Sequence, residues 1–172
     1  KLFVLGMLVL MLCACNKGEG DGPKPINTSI NKILPLGASR VEGARPNYES
    51  YRYELWKDLK ENYWTFDFIG TQSDNAGYPF FNDDEFDVDH EGRGDGLPVK
   101  FYGLDDWLSQ TGPPDIVLLS SPGANDALQG LSYSQAVSNI NAIIDLLQVD
   151  NPNVTIIIEQ MENSIGLYRA NF

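Results

Sequence analysis

Residues 115–126 have the sequence DIVLLSSPGAND, and the apolar run at its start decides the fold. Asp115 to Ser120 forms a short segment that is hydrophobic on both faces and follows a Gly-Pro-Pro stop at residues 112–114. Strands of this kind belong to the middle of parallel sheets, where helices cover both faces. The stretch therefore predicts a buried central strand, followed by a glycine turn that ends in Asn125 and Asp126.

Further segments on both sides of this strand alternate in type. Apolar runs predict strands at 30–36, 66–70 and 154–158. Helices are predicted at 48–63, 104–110 and 132–147, where the first and last segments have apolar residues every three or four positions. The expected apolar stripes are Tyr51, Leu55, Leu59 and Tyr63 in the first helix, and Val137, Ile140, Ile144 and Leu147 in the last. Residues 72–98 predict a long loop. This order predicts an α/β fold with a parallel sheet and helices on both faces.

Size and charge limit the function. The 172 residues, 42% of them hydrophobic, suit one domain with a real core. The net charge of −12 argues against a nucleic-acid partner, because phosphate binding needs clustered basic residues, and it favours an uncharged or cationic substrate. The acidic run at 83–89 could hold calcium but is more typical of a solvated loop, so we assign no metal and no cofactor.

The first residues indicate export. A lysine precedes an apolar run at 2–12 that is too short to span a bilayer and is typical of a signal peptide. It ends in Leu-Cys-Ala-Cys at 12–15, which resembles the bacterial lipobox and implies lipidation at Cys15; a plain secretory signal is the alternative. We therefore expect a lipoprotein signal at 1–15, a flexible tether at 16–29, and a domain from residue 30 whose only membrane contact is the lipid anchor in the cell envelope.

Two turns follow the buried strands at the edge where ligands of open α/β sheets bind. Gly37-Ala38-Ser39 follows the first strand, and Gly123-Ala124-Asn125 follows the central one. A serine hydroxyl facing an amide suits acyl transfer, since the hydroxyl attacks an ester carbonyl while the amide stabilises the oxyanion. Taken alone, such a serine is more often a helix cap.

The order and spacing of these residues resemble the SGNH (GDSL-like) hydrolase family. Its first block, Gly-Asp-Ser with a later glycine, matches at Ser39 and Gly43, and its third block, Gly-x-Asn-Asp, matches at Gly123, Asn125 and Asp126. Segments at 51–55, 67–70, 89–92 and 114–119 resemble the carbohydrate-esterase branch. The resemblance covers about residues 30–160.

The resemblance implies a flavodoxin-like three-layer α/β/α fold with Ser39 as nucleophile. It also implies an oxyanion hole made of the serine N–H, a second-block glycine N–H, for which we choose Gly94, and the Asn125 amide. Two positions depart from the family pattern. Asp95 stands where the second block has a glycine, and Ala38 replaces the aspartate before the serine, so we expect a looser nucleophile turn.

The resemblance further implies a catalytic histidine in a late Asp-x-x-His block, and residues 161–172 contain no match to it. His90 is the only histidine and lies in the second block, where it either substitutes as base or orders the long loop. We expect the sequence to lack its C-terminal part. The strand at 154–158 would then be an exposed apolar edge, and the 172-residue chain would be inactive or nearly so.

The leading hypothesis is therefore an exported lipoprotein that hydrolyses small esters, with acetylated carbohydrates as the expected substrate. A catalytically impaired SGNH domain that binds glycan is the alternative, motivated by Ala38 and Asp95. A surface adhesion module without enzymatic activity is the third hypothesis, and it leaves the serine and asparagine turns without a role.

Overall fold

The computed structural model describes residues 31–74, 77–94 and 103–159. Five strands and five helices lie in these ranges. The strands are β1 (Lys32–Gly37), β2 (Asp67–Phe68), β3 (Glu91–Gly92), β4 (Ile116–Ser120) and β5 (Thr155–Ile158). The helices are α1 (Ser39–Glu42), α2 (Arg52–Glu61), α3 (Leu104–Thr111), α4 (Ala124–Leu128) and α5 (Tyr133–Asp150).

All five strands are parallel and belong to one sheet, in which four of them have the order β2-β1-β4-β5. The short strand β3 pairs with the carboxyl-terminal end of β1, beyond β2 on the same side. The chain therefore passes from β1 to one side, returns, and crosses to β4 on the other side. This reversal of strand order is typical of flavodoxin-like sheets, and ligands bind beside it at the carboxyl ends of the strands.

Alternating side chains of the two central strands fill two separate cores. On one face, Leu34 of β1 and Val117 of β4 pack with Leu104 of α3 and Leu147 of α5. On the other face, Ile33 of β1 packs with α2 and with the loop before β3. Both faces of the sheet are covered, so the predicted three-layer α/β/α architecture is confirmed.

The buried face of α2 differs from the predicted stripe. The structure buries Tyr53 and Trp56, whose rings pack against Phe86 at 5.3 and 5.6 Å between centroids. Tyr63 lies beyond the helix in a left-handed conformation and is 94% exposed. The predicted stripe was right in part: Leu55 and Leu59 are partly buried and pack against this core, whereas the larger aromatic surface of Tyr53 and Trp56 selects the fully buried face.

The buried face of α5 keeps Leu147 as predicted, but its other three residues each lie one position before a predicted residue. It consists of Ala136, Asn139, Ile143 and Leu147. The polar member of this face, Asn139, donates a hydrogen bond of 2.7 Å to the buried carboxylate of Asp126 in α4. That contact turns Asn139 inward, and an analysis of apolar spacing does not detect it.

Three short elements were not predicted: α1, α4 and β3, which have four, five and two residues. Elements of this length contain no full period of a hydrophobic pattern. The last strand, β5, pairs only with β4 among the described residues, and its Ile157 and Ile158 are about half exposed. The predicted apolar edge is therefore present in the described part of the sheet.

Candidate active site

Ser39 begins the four-residue helix α1 directly after β1. The turn between them is tight: a side chain on Gly37 would meet the Ser120 carbonyl oxygen at 2.8 Å and Val41 Cγ2 at 2.7 Å. The helix ends at Gly43, whose φ of 73° suits glycine. Ala38 makes no side-chain capping bond, and the Ser39 hydroxyl makes no hydrogen bond within the described residues. Its oxygen is therefore not committed to another described group.

Arg52 restrains α1 from its carboxyl-terminal end. Its guanidinium is fully buried and donates to the carbonyl oxygens of Val41 at 2.7 Å and Glu42 at 3.0 Å. The same group donates to the Val88 carbonyl at 2.9 Å and pairs with Asp74 at 3.3 Å. Arg52 therefore restrains α1 through contacts that do not involve residue 38. The looser nucleophile turn expected from Ala38 stays a prediction.

The loop that carries Gly94 passes directly over α1. A side chain on Gly92 would overlap the Glu42 backbone nitrogen, and one on Gly94 would lie 3.3 Å from Ser39 Cα. The structure thus brings Gly94 and Ser39 together, and the Gly94 N–H donates to no acceptor in the described residues. A Glu42 carboxylate oxygen also lies against Gly94. Negative charge there opposes an oxyanion unless it points away.

Glu91 and Arg93 fix this loop to the sheet. The Arg93 N–H donates to the Gly37 carbonyl at 2.9 Å, and its guanidinium stacks on Trp107 at 3.8 Å. Glu91 is 1% exposed and accepts from Arg93 Nε at 2.7 Å and from the N–H and hydroxyl of Thr71 at 2.9 and 2.8 Å. The buried carboxylate is fully paired, as burial of a charge requires.

Asn125 is the second residue of α4, which follows β4 through a glycine of φ 82°. Because Gly37 of β1 and Ser120 of β4 are directly paired, the two turns leave the same edge of the sheet from neighbouring strands. Asp126 is fully buried and is held by Asn139 of α5. The predicted serine and asparagine turns therefore share one edge, at the point where the strand order reverses.

His90 is buried, and the structure favours its ordering role over the role of base. Its Nδ1 accepts from the Gly92 N–H at 2.9 Å, which places the ring proton of the neutral form on Nε2. Burial, with Arg52 adding to it, lowers its pKa to about 4. A neutral histidine whose acceptor nitrogen is already occupied has no lone pair to take a proton from Ser39.

A cluster around Glu159, which follows β5, was not predicted from the sequence. Its Oε2 accepts from the Ser120 hydroxyl at 2.5 Å and from the Ser121 N–H at 3.1 Å, while Oε1 pairs with Arg40 at 3.2 Å. The Tyr51 hydroxyl is buried without a hydrogen-bond partner within the described ranges, and burial raises its pKa to about 12. The criterion that selected Ser39 and Asn125, a polar residue in the segment after a buried strand, also applies to Glu159.

The acidic segment takes part in the fold and borders a cavity of about 500 Å³. Asp87 accepts from the Phe68 N–H at 2.7 Å, and Lys60 pairs with Asp84 at 3.0 Å.

No group of three or more acidic, histidine or cysteine side chains in the described ranges is arranged to hold a metal ion. Within the same ranges, no helix has the length and apolar character needed to cross a membrane.

Several predictions fall outside the described residues. They are the signal peptide with Cys15, the tether at 16–29, Asp95, and the segment at 161–172. These expectations stay predictions.

Comparisons with known proteins agree with the fold. No family model and no curated protein matches the chain. A carbohydrate esterase family 3 structure from Talaromyces cellulolyticus matches 75% of this chain with a TM-score of 0.63 and 24% identity. A Clostridium thermocellum family 3 carbohydrate esterase matches 78% with a TM-score of 0.62 and 30% identity. An acetyl esterase with a serine-to-alanine change and an acetate ion matches 75% with a TM-score of 0.62 and 21% identity.

The chain spans 61 to 63% of the length of these structures. Its fold is that of the carbohydrate esterases it matches, with sequence identities of 21 to 30%.

Proposed function

We propose that the protein is a serine ester hydrolase of the SGNH type, with Ser39 as nucleophile. The observation that carries the proposal is the meeting of Ser39 and Gly94 at the carboxyl end of β1, beside the turn that holds Asn125. The similarity to structures of carbohydrate esterases supports it.

In the proposed reaction the Ser39 oxygen attacks the carbonyl carbon of an ester while a base takes the hydroxyl proton. The tetrahedral intermediate carries its negative charge on the former carbonyl oxygen. The N–H groups of Ser39 and Gly94 and the Asn125 amide donate to that oxygen. The carbon–oxygen bond to the alcohol then breaks, the proton goes to the leaving alkoxide, and water hydrolyses the acyl-serine to free acid and serine.

The base is proposed to come from outside residues 1–172. His90 is unsuited because its Nδ1 is occupied and its ring is buried, and the family resemblance implies a histidine in a late block. Residues 23–172 should therefore hydrolyse esters far more slowly than the full-length gene product, both purified and assayed with p-nitrophenyl acetate. Equal rates would contradict this assignment.

Acetylated carbohydrate is the proposed substrate class, because two of the similar structures are family 3 carbohydrate esterases and a third is an acetyl esterase with acetate. The test compares acetate release from acetylated xylan with hydrolysis of a long-chain acyl ester. Preference for the long acyl chain would reject this class while leaving ester hydrolysis intact.

Two features of the Ser39 turn favour a second function. A carboxylate of Glu42 lies against Gly94, and Ala38 gives the turn no capping bond, and both features weaken an acyl-transfer site. An impaired domain that binds glycan without turnover is therefore the alternative. It predicts no hydrolysis of p-nitrophenyl acetate by the full-length protein, together with measurable binding of acetylated oligosaccharide by calorimetry.

The proposal also includes export and lipid anchoring at Cys15, based on the lipobox at 12–15. Cells that express the protein are labelled with an alkynyl fatty acid, and Cys15→Ala is compared with Cys13→Ala. Loss of label only in the Cys15 variant is expected. Equal labelling of the Cys15 variant and the wild type would contradict the anchor.

Two substitutions test the main proposal in the full-length protein. Ser39→Ala should abolish hydrolysis of p-nitrophenyl acetate with the fold intact, and Asn125→Ala should lower kcat by about 10²-fold through loss of an oxyanion donor. Ser109→Ala is the matched control, because that hydroxyl bonds only to a carbonyl of its own helix and is exposed. An unchanged rate for Ser39→Ala would place the nucleophile elsewhere.

A further inference from the structure

Glu159 joins the carboxyl-terminal ends of three parallel strands through its two carboxylate oxygens. Oε2 accepts from the Ser120 hydroxyl at 2.5 Å, the Ser121 N–H at 3.1 Å and the Ser121 hydroxyl at 3.3 Å. Oε1 pairs with Arg40, the residue after Ser39, at 3.2 Å. One side chain after β5 thus contacts both the residues that leave β4 and the helix that leaves β1.

The turn held by Glu159 leads directly to Asn125. Ser121 has a φ of 50°, a left-handed conformation that is strained for a residue with a side chain. Such a conformation persists only where its surroundings hold it, and here the N–H and the hydroxyl of Ser121 both donate to the Glu159 carboxylate. The Glu159 carboxylate therefore holds the segment through which the chain enters α4, the helix that contains Asn125.

The charges of the cluster support a role in geometry. Arg40 and Glu159 have side chains 68% and 36% exposed, so their ion pair adds little to stability. Burial alone would raise the pKa of Glu159, but the Ser120 hydroxyl, Arg40 and the Ser121 groups together lower it below its ordinary value. The carboxylate is therefore charged at neutral pH and able to hold all four contacts.

We propose that Glu159 is a positioning residue for the acyl-transfer site, which sets the Asn125 turn relative to the Ser39 turn. This inference rests on the proposed function. An oxyanion donor is useful only within a few tenths of an ångström of the developing charge, and a misplacement of about 1 Å can cost about 10²-fold in rate. Loss of the carboxylate acceptor should therefore lower kcat and leave substrate binding nearly unchanged.

The experiment compares Glu159→Met with Glu159→Gln in the full-length protein. Methionine fills similar space without a strong acceptor, whereas glutamine keeps one oxygen for the Ser120 and Ser121 donors. We expect kcat for p-nitrophenyl acetate to fall about 10-fold or more in Glu159→Met and about threefold in Glu159→Gln, with KM within about twofold of wild type. Glu54→Gln, which breaks the exposed 2.8 Å pair with Lys57, is the matched control.

Thermal unfolding of each variant separates positioning from a purely structural role. An unchanged kcat in Glu159→Met, with or without a lower Tm, would overturn the inference, and so would equal losses in the methionine and glutamine variants. Ser39→Ala is assayed in parallel. If it retains the wild-type rate, or if the wild type does not hydrolyse the ester, the proposed function fails and the Glu159 inference fails with it.

Discussion

Replacement of Arg52 by methionine tests whether one buried side chain holds the nucleophile helix. The guanidinium is fully buried and donates to the carbonyl oxygens of Val41, Glu42 and Val88, and it pairs with Asp74. Methionine keeps most of the volume and removes every donor. The three carbonyls lose their bonds, and Asp74, whose side chain is 15% exposed, loses the positive charge beside it.

The expected cost follows from these contacts. A hydrogen bond to a charged group contributes about 1.5 to 3 kcal/mol, and removal of one partner of a buried ion pair costs about 3 to 5 kcal/mol. These contributions overlap because water enters the space and relieves some groups. We therefore expect a loss of about 4 kcal/mol in the free energy of unfolding, a large share of the about 5 to 15 kcal/mol typical of a domain.

Urea denaturation monitored by tryptophan fluorescence measures this loss. Arg52→Lys should lose about half as much, because it keeps the charge beside Asp74 and only part of the donor set. Lys60→Met is the control, since its pair with Asp84 is 38% and 54% exposed and should contribute less than about 1 kcal/mol. A loss below about 1 kcal/mol for Arg52→Met would refute the reasoning that Arg52 clamps α1.

Two further predictions concern pH. Because burial lowers the pKa of His90 from 6.5 to about 4 in the folded state, the unfolded chain binds more protons between these values. The contribution of neutral His90 to stability, about 3 kcal/mol for this shift, is therefore lost as the pH falls from about 6.5 to about 4. Urea titrations of wild type and His90→Gln at pH 7 and pH 4 measure this loss. The difference in unfolding free energy between the two proteins should change by that amount between the two pH values. Asp87 has the opposite sign: burial raises its pKa from 3.8 to about 6, so stability falls as the pH rises from 3.8 to about 6, and the loss is complete above that pH. Asp87→Asn, which keeps an acceptor for the Phe68 N–H, should raise Tm at pH 7.5 and have no such effect at pH 3.5; a lower Tm at pH 7.5 would contradict the assignment.

The fold was predictable because its central strands carry a strong local pattern. In β4 the residues Val117 and Leu119 face one core while Ile116 and Leu118 face the other, and this double-sided burial is visible as an unbroken apolar run. The rotated faces of α2 and α5 were not predictable in the same way. Trp56 is selected by partners distant in sequence, and Asn139 is buried because Asp126 accepts its hydrogen bond.

The candidate site was predictable in part for a related reason. Ser39 and Asn125 lie in the segments that follow β1 and β4, so their common edge follows from topology alone. Arg52 contacts Val41 and Val88, which are 11 and 36 positions away in the sequence. Glu159 contacts Ser120, which is 39 positions away. Contacts between such distant residues leave no periodic signal in a single sequence.

The central claim is that Ser39 forms an acyl-enzyme, and trapping that intermediate tests it most directly. The full-length protein is mixed with p-nitrophenyl acetate, quenched in acid, digested and analysed by mass spectrometry, beside Ser39→Ala and the control Ser109→Ala. We predict an acetyl group on the peptide that contains Ser39 in the wild type and the control, and none in Ser39→Ala. Acetylation of another residue, with hydrolysis retained in Ser39→Ala, would contradict the account.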